Sequence, residues 1–119
     1  MIKKILFLLF LLGFLVVLTF IITRGNSSQV QIMIPKGASL GGNFTPGVVQ
    51  VVVGINNTVT WINEDESAHT VTSLNGTFDS GLINQYSSFS YTFSSPGIYF
   101  YYCKPHPWMK GAIIVKTAE

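Results

Sequence analysis

The hydrophobic and polar positions of this chain fall into two regimes. Ile5 to Thr23 is a run of nineteen residues without a charge, preceded by Lys3-Lys4 and followed by Arg24. From about Val30 onward the apolar residues come instead in short runs, broken by turn formers. Ser87 to Phe93 has the clearest two-residue period: Phe89, Tyr91 and Phe93 share one face, and Ser88, Ser90 and Thr92 share the other. Thr58 to Asn63 alternates in the same way and puts Trp61 on the inner face with Val59. Val48 to Val53 is β-branched and nearly continuous, which suits a strand. Val30–Ile34, His69–Ser73, Ile98–Cys103 and Ala112–Val115 complete the set of extended segments. Pro35-Lys36-Gly37, Gly54-Ile55-Asn56-Asn57, Asn75-Gly76 and Ser94-Ser95-Pro96-Gly97 read as turns between them. No segment after residue 30 has helical period. Seven to eight short strands at this spacing predict an all-β sandwich.

The first regime predicts a transmembrane helix. At ~1.5 Å per residue it would span about 28 Å, close to the hydrocarbon thickness of a bilayer. A cleaved signal peptide has a shorter apolar core and a small-residue cleavage site, and Thr23-Arg24-Gly25 is a poor one. The expected organisation is an anchor or signal over 1–24, a linker over 25–29 and one domain over 30–117. Two lysines before the run against one arginine after it keep the amino terminus cytoplasmic. The domain is then expected at the cell membrane, single-pass, on the extracytoplasmic side.

Composition changes this picture little. The chain has 119 residues, room for one domain, and a formal charge of +2. That charge comes from the flanks of the apolar run, because from Ser27 onward four lysines face five acids. No basic patch suggests nucleic acid. A single cysteine excludes an intrachain disulfide; in an exported chain it is a free reactive thiol, an intermolecular bridge or a group held by other means.

Metal ligation is such a means. Cys103, His106 and Met109 are spaced C-x2-H-x2-M between the last two predicted strands. A thiolate, an imidazole and a thioether are the ligand set that suits copper, and two His with one Cys and a weak axial Met form the type 1 site. His69 supplies the second imidazole. Counting back from Cys103 by two puts Tyr101 and Tyr99 on the same face, so the sulfur should point into the sandwich. Pro105 and Pro107 stiffen the loop that returns His106 and Met109 to one point. Alone, the cysteine would be a small core residue and the methionine mere packing. Together with both histidines of the chain they are a site. Zinc is the rival metal, but it seldom takes methionine. No acid–base pair or activated nucleophile points to an enzyme.

Here the chain resembles the cupredoxins, closest to the plastocyanin–amicyanin branch, over about Val48 to Val115. Gly97-x-Tyr99-x-Tyr101-Tyr102-Cys103 looks like the strand before the plastocyanin ligand loop. Cys103-Lys104-Pro105-His106-Pro107-Trp108-Met109 is similar to the amicyanin loop in length and in both prolines. Thr60-Trp61-x-Asn63-x-Asp65, His69-Thr70-Val71 and Phe78-Asp79-Ser80-Gly81 look like the region of the first ligand. The resemblance implies an eight-stranded Greek-key sandwich and one type 1 Cu(I)/Cu(II) ion on His69, Cys103, His106 and Met109. It implies one-electron shuttling between membrane or extracytoplasmic redox proteins by a monomer. Copper storage or delivery is the alternative; it needs ligand exchange, which a stiff buried site opposes. One departure is Thr70, where plastocyanins commonly have Asn.

Three further expectations concern the surface. Trp108, with Gly41, Gly42 and Pro46, is a candidate docking patch around His106, or else a cap on the core. Glu64-Asp65-Glu66 reads as a solvated hairpin tip. Asn26, Asn43, Asn56 and Asn75 each match the N-glycosylation pattern, which asparagine-rich turns also generate.

Overall fold

The computed structural model of the protein describes residues 29–119. The predicted span before Arg24 lies outside the described residues. Among those that are described, no helix is long and apolar enough to cross a membrane.

Seven strands form two sheets. They are β1 (Val30–Ile34), β2 (Val48–Val52), β3 (Thr58–Asn63), β4 (Thr72–Ser73), β5 (Ser88–Thr92), β6 (Gly97–Tyr102) and β7 (Lys110–Lys116). One sheet has the order β1-β3-β5, the other β2-β7-β6-β4. β1 runs parallel to β3, and β2 parallel to β7; the remaining pairs are antiparallel. β1 and β3 are joined through β2, and β3 and β5 through β4, strands of the opposite sheet. The chain therefore crosses repeatedly between the layers.

The expected strands are present with adjusted ends. β7 begins two residues earlier than its apolar run, because Lys110 and Gly111 pair with Tyr102 and Tyr101. The segment 69–73 contributes only Thr72–Ser73 as strand; His69 makes an isolated bridge to Ile83 and Thr72 one to Asp79. Those bridges stand where an eighth strand would run. Pairing is interrupted there because the 79–81 turn folds on its own side chains, with the Gly81 N–H donating to Asp79 Oδ1 and Ser80 Oγ to the Gly81 carbonyl.

The inner faces close on an aromatic core centred on Trp61. Its ring lies 5.4 Å from Tyr101, 5.8 Å from Phe89 and 5.9 Å from Phe78. Phe78 in turn meets Phe93 edge-on at 5.6 Å. Such pairs add ~0.5–1.5 kcal/mol each beyond the area they bury. Gly111 is required by this core: a Cβ there would lie 2.3 Å from Tyr101 Cζ and Oη. Tyr101 therefore passes over a backbone with no side chain. Its hydroxyl and Trp61 Nε1 are both buried and have no polar neighbour but each other among the described residues. Burial pushes the Tyr101 hydroxyl up to about 12.

Candidate metal centre

Cys103 follows the last residue of β6, and Lys110 opens β7, so the loop spans residues 103–109 between two paired strands. It closes on itself. The Cys103 N–H donates to the Met109 carbonyl at 3.2 Å, and the Met109 N–H to the His106 carbonyl at 2.9 Å. The side chains of Cys103 and Met109 are fully buried, and His106 is partly exposed. Across the sandwich end, His69 is fully buried and pinned by paired backbone bonds to Ile83, at 3.2 and 2.7 Å.

Three donor atoms converge. Cys103 Sγ lies 3.5 Å from His69 Nδ1 and 3.6 Å from His106 Nδ1, and the two nitrogens are 3.1 Å apart. The circumcentre of that triangle is about 2.0 Å from each atom, which matches an imidazole–metal bond at ~2.0–2.1 Å and is a few tenths of an ångström short of a thiolate–metal bond at ~2.3 Å. Two imidazole nitrogens and a sulfur gathered this closely could hold a metal ion between them. The residues fit a metal ion, and the soft sulfur with two imidazoles fits copper. Met109 stands beside this group through its backbone bonds to Cys103 and His106.

The tautomer of His69 is set from behind. His69 Nε2 is 2.7 Å from Asp65 Oδ2, a contact that suits a proton on Nε2 and a lone pair on Nδ1. Asp65 is 3% exposed. The expectation of a solvated tip at 64–66 is therefore wrong for Asp65, although Glu64 and Glu66 are exposed. The missed signal was parity. Val59, Trp61, Asn63 and Asp65 are all buried, so the alternation of β3 continues past its end. Burial would raise the Asp65 carboxyl, but the bonds from His69 and from the Gly37 and Ser39 N–H groups hold it well below the usual carboxylate range. Asn63 shapes this turn by accepting from the Asp65 N–H and donating to the Ser67 and Ile83 carbonyls.

Thr70 joins the Cys103 loop to the segment that carries His69. Among the described residues the Cys103 sulfur accepts one backbone N–H, from Thr70 at 3.4 Å. Thr70 Oγ1 accepts the Lys104 N–H at 2.9 Å and meets Thr72 Oγ1 at 3.0 Å, and Thr72 donates to Asp79. The hydroxyl thus clasps the ligand loop to the segment carrying His69. Thr70→Val is expected to destabilise the chain by about 1–3 kcal/mol in urea unfolding, because it leaves the Lys104 N–H unpaired. Thr70→Ser should recover most of that. The Lys104–Asp79 ion pair nearby lowers the Asp79 carboxyl and raises the Lys104 ammonium. Both partners are well exposed, so the pair adds little stability.

The His106 ring is 5.3 Å from Trp108, which is 47% exposed. Trp108 Nε1 donates to the Gly42 carbonyl, joining the ligand loop to the β1–β2 loop, where Leu40 is 90% exposed. Gly42 thus belongs to the rim, as expected. Trp108 does not cap the core. His106 is held below its ordinary value by burial and by the neighbouring His69. Of the glycosylation-type asparagines, Asn43, Asn56 and Asn75 use their carbonyl oxygens to close turns. Asn26 lies outside the described residues.

A two-sheet β-sandwich with a thiolate and two imidazoles gathered at one end defines a mononuclear copper protein. Comparison with known proteins agrees. The pattern of the copper-binding proteins of the plastocyanin/azurin family matches residues 28–116, and the chain belongs to that family. Amicyanin of Paracoccus denitrificans is 33% identical over 69 residues, which is 54% of this chain and 53% of that one. The chain thus spans about half the length of the curated relatives it matches. Among solved structures, a novel purple cupredoxin from Nitrosopumilus maritimus superposes with a TM-score of 0.66 at 35% identity. It is covered over 99% of its length, using 73% of this chain. A variant of amicyanin in its Cu(I) form superposes with a TM-score of 0.65 at 26% identity, over 78% of this chain and 87% of that one. The centre takes one type 1 copper ion.

Proposed function

We propose that this protein is a one-electron carrier whose copper ion would be held by His69, Cys103 and His106, with Met109 as a fourth, weaker ligand. The observation that carries the reading is the close triangle of Cys103 Sγ and two histidine Nδ1 atoms, with sides of 3.5, 3.6 and 3.1 Å. Bound copper supplies the Cu(I)/Cu(II) couple. The chain's own residues supply the rest. Cys103, His69 and Met109 are buried, which keeps water and substrates from the centre. The Thr70 clasp, the closed ligand loop and the Asp65 contact hold the donors in one arrangement, so a change of oxidation state meets little rearrangement. Such a site has no feature for turning over a substrate, and its burial disfavours handing copper to an acceptor. His106 is the partly exposed histidine, and its ring beside Trp108 marks where electrons leave.

The 19-residue apolar run and the short 25–29 linker support a domain tethered to the outer face of the cell membrane. Its redox partners would be membrane or extracytoplasmic proteins. An apolar rim of Trp108 and Leu40 suits brief docking with them. Trp108→Ser is expected to slow transfer to a redox partner by about tenfold, ~1.4 kcal/mol in the encounter, while leaving the visible band of the copper protein in place. Stopped-flow mixing with an oxidised partner measures the first and absorption the second. Unchanged transfer would remove Trp108 from the docking surface. Rapid loss of Cu(I) to a chelator, with slow self-exchange, would favour storage or delivery over electron transfer.

A further inference from the structure

Asp65 does more than fill space beside the centre. Its Oδ1 accepts the Gly37 N–H at 2.9 Å, and its Oδ2 accepts the Ser39 N–H at 3.1 Å and faces His69 Nε2 at 2.7 Å. Its own N–H is taken by Asn63 Oδ1 at 2.9 Å. A carboxylate gripped at both oxygens and at its backbone has no alternative position. It is also nearly completely buried, so its charge is poorly screened.

We propose that Asp65 is a positioning residue of the copper centre: it fixes the ring and tautomer of His69 and biases the centre toward Cu(II). The inference rests on the copper reading above. Two effects act in the same direction. An imidazole that donates Nε2–H to a carboxylate carries more electron density at Nδ1, which makes it a stronger donor. The buried Asp65 charge also adds to that of the Cys103 thiolate. The two negative charges balance a dipositive ion and exceed a monopositive one, so reduction leaves an uncompensated buried charge. Asp65 further ties His69 to the 37–42 turn, and Trp108 holds the far end of that turn through Gly42. A fully buried histidine is thereby fastened to the rim that surrounds His106.

Two measurements test this on the full chain. The first needs no metal: nitrogen-15 NMR of the copper-free protein at neutral pH reports the His69 tautomer. Asp65 predicts a protonated, slowly exchanging Nε2 and a bare Nδ1. A proton on Nδ1, or averaging between tautomers, overturns the positioning role. The second is voltammetry of copper-loaded Asp65→Asn against the wild type. The expected result is at least a tenfold shift of the redox equilibrium toward Cu(I), about 59 mV higher for a one-electron couple. A smaller shift, or one of opposite sign, overturns the bias toward Cu(II). Should Asp65→Asn not fold, the tautomer measurement on the wild type still decides the first claim, and Asp65→Glu, which keeps the charge, serves for the second. It is expected to stay within that tenfold of the wild type, and a rise like that sought in Asp65→Asn overturns the claim. A wild-type protein that binds copper without a thiolate band would instead count against the copper reading itself. The two failures are therefore distinct.

Discussion

Serine in place of Cys103 is expected to abolish the intense visible absorption of the copper-loaded protein altogether. That band requires a sulfur bonded to Cu(II), and Cys103 is the chain's sole cysteine. The hydroxyl of serine is harder, less polarisable and shorter in its bonds, so it neither donates charge in the same way nor selects Cu(I). Loss of an outer partner of a metal ligand alone costs ~10–100-fold in affinity, and loss of the thiolate ligand itself should exceed a hundredfold for Cu(I). Competition with a chromophoric Cu(I) chelator measures it. The variant should still fold, because serine fits the space. Its β6–β7 pairing and the Cys103–Met109 backbone bond do not involve the sulfur. A Cys103→Ser protein that kept both colour and affinity would place the metal elsewhere.

The largest effect on stability is expected at the other end of the argument, in the core. Trp61→Ala should cost about 3–5 kcal/mol, a large share of the ~5–15 kcal/mol that holds a domain of this size folded. Trp61 touches Phe78, Phe89 and Tyr101, drawn from both layers, so truncation opens a cavity that no single neighbour can fill. Trp61→Phe should be far milder. It keeps an aromatic ring in place and removes a buried indole N–H whose one polar neighbour among the described residues is the Tyr101 hydroxyl. Urea unfolding of the copper-free chain measures both, since bound metal would add its own binding energy. Equal losses in the two variants would mean that the indole N–H contributes more than its surroundings show.

These two residues also show what a sequence can reveal. Trp61 was placed correctly because β3 alternates cleanly and strand parity is a property of the backbone. Cys103 and His106 are legible because their spacing fits one short loop stiffened by prolines, and the structure gathers their donor atoms with that of His69. His69 came with them as the sole remaining histidine. What stayed hidden depends on chain segments far apart in sequence. Asp65 looked like one of three solvated acids, since nothing local says that Gly37 and Ser39 present their N–H groups to it. Thr70 lacked the amide expected at its position, yet its hydroxyl reaches Lys104 across a gap of 34 residues. β7 began earlier than its apolar run because pairing with β6, rather than hydrophobicity, sets its start. The eighth strand of the resemblance is replaced by isolated bridges around Ile83 and Asp79, a detail of hydrogen bonding that composition does not encode.

The most direct test of the copper centre is one combined visible and electron spin resonance spectrum of the Cu(II)-loaded chain. His69, Cys103 and His106 in one plane predict an intense thiolate-to-copper band together with the small parallel hyperfine splitting of a strongly covalent copper–sulfur bond. A pale protein with the wide splitting of ordinary tetragonal Cu(II), or one that takes up zinc and refuses copper, would contradict it.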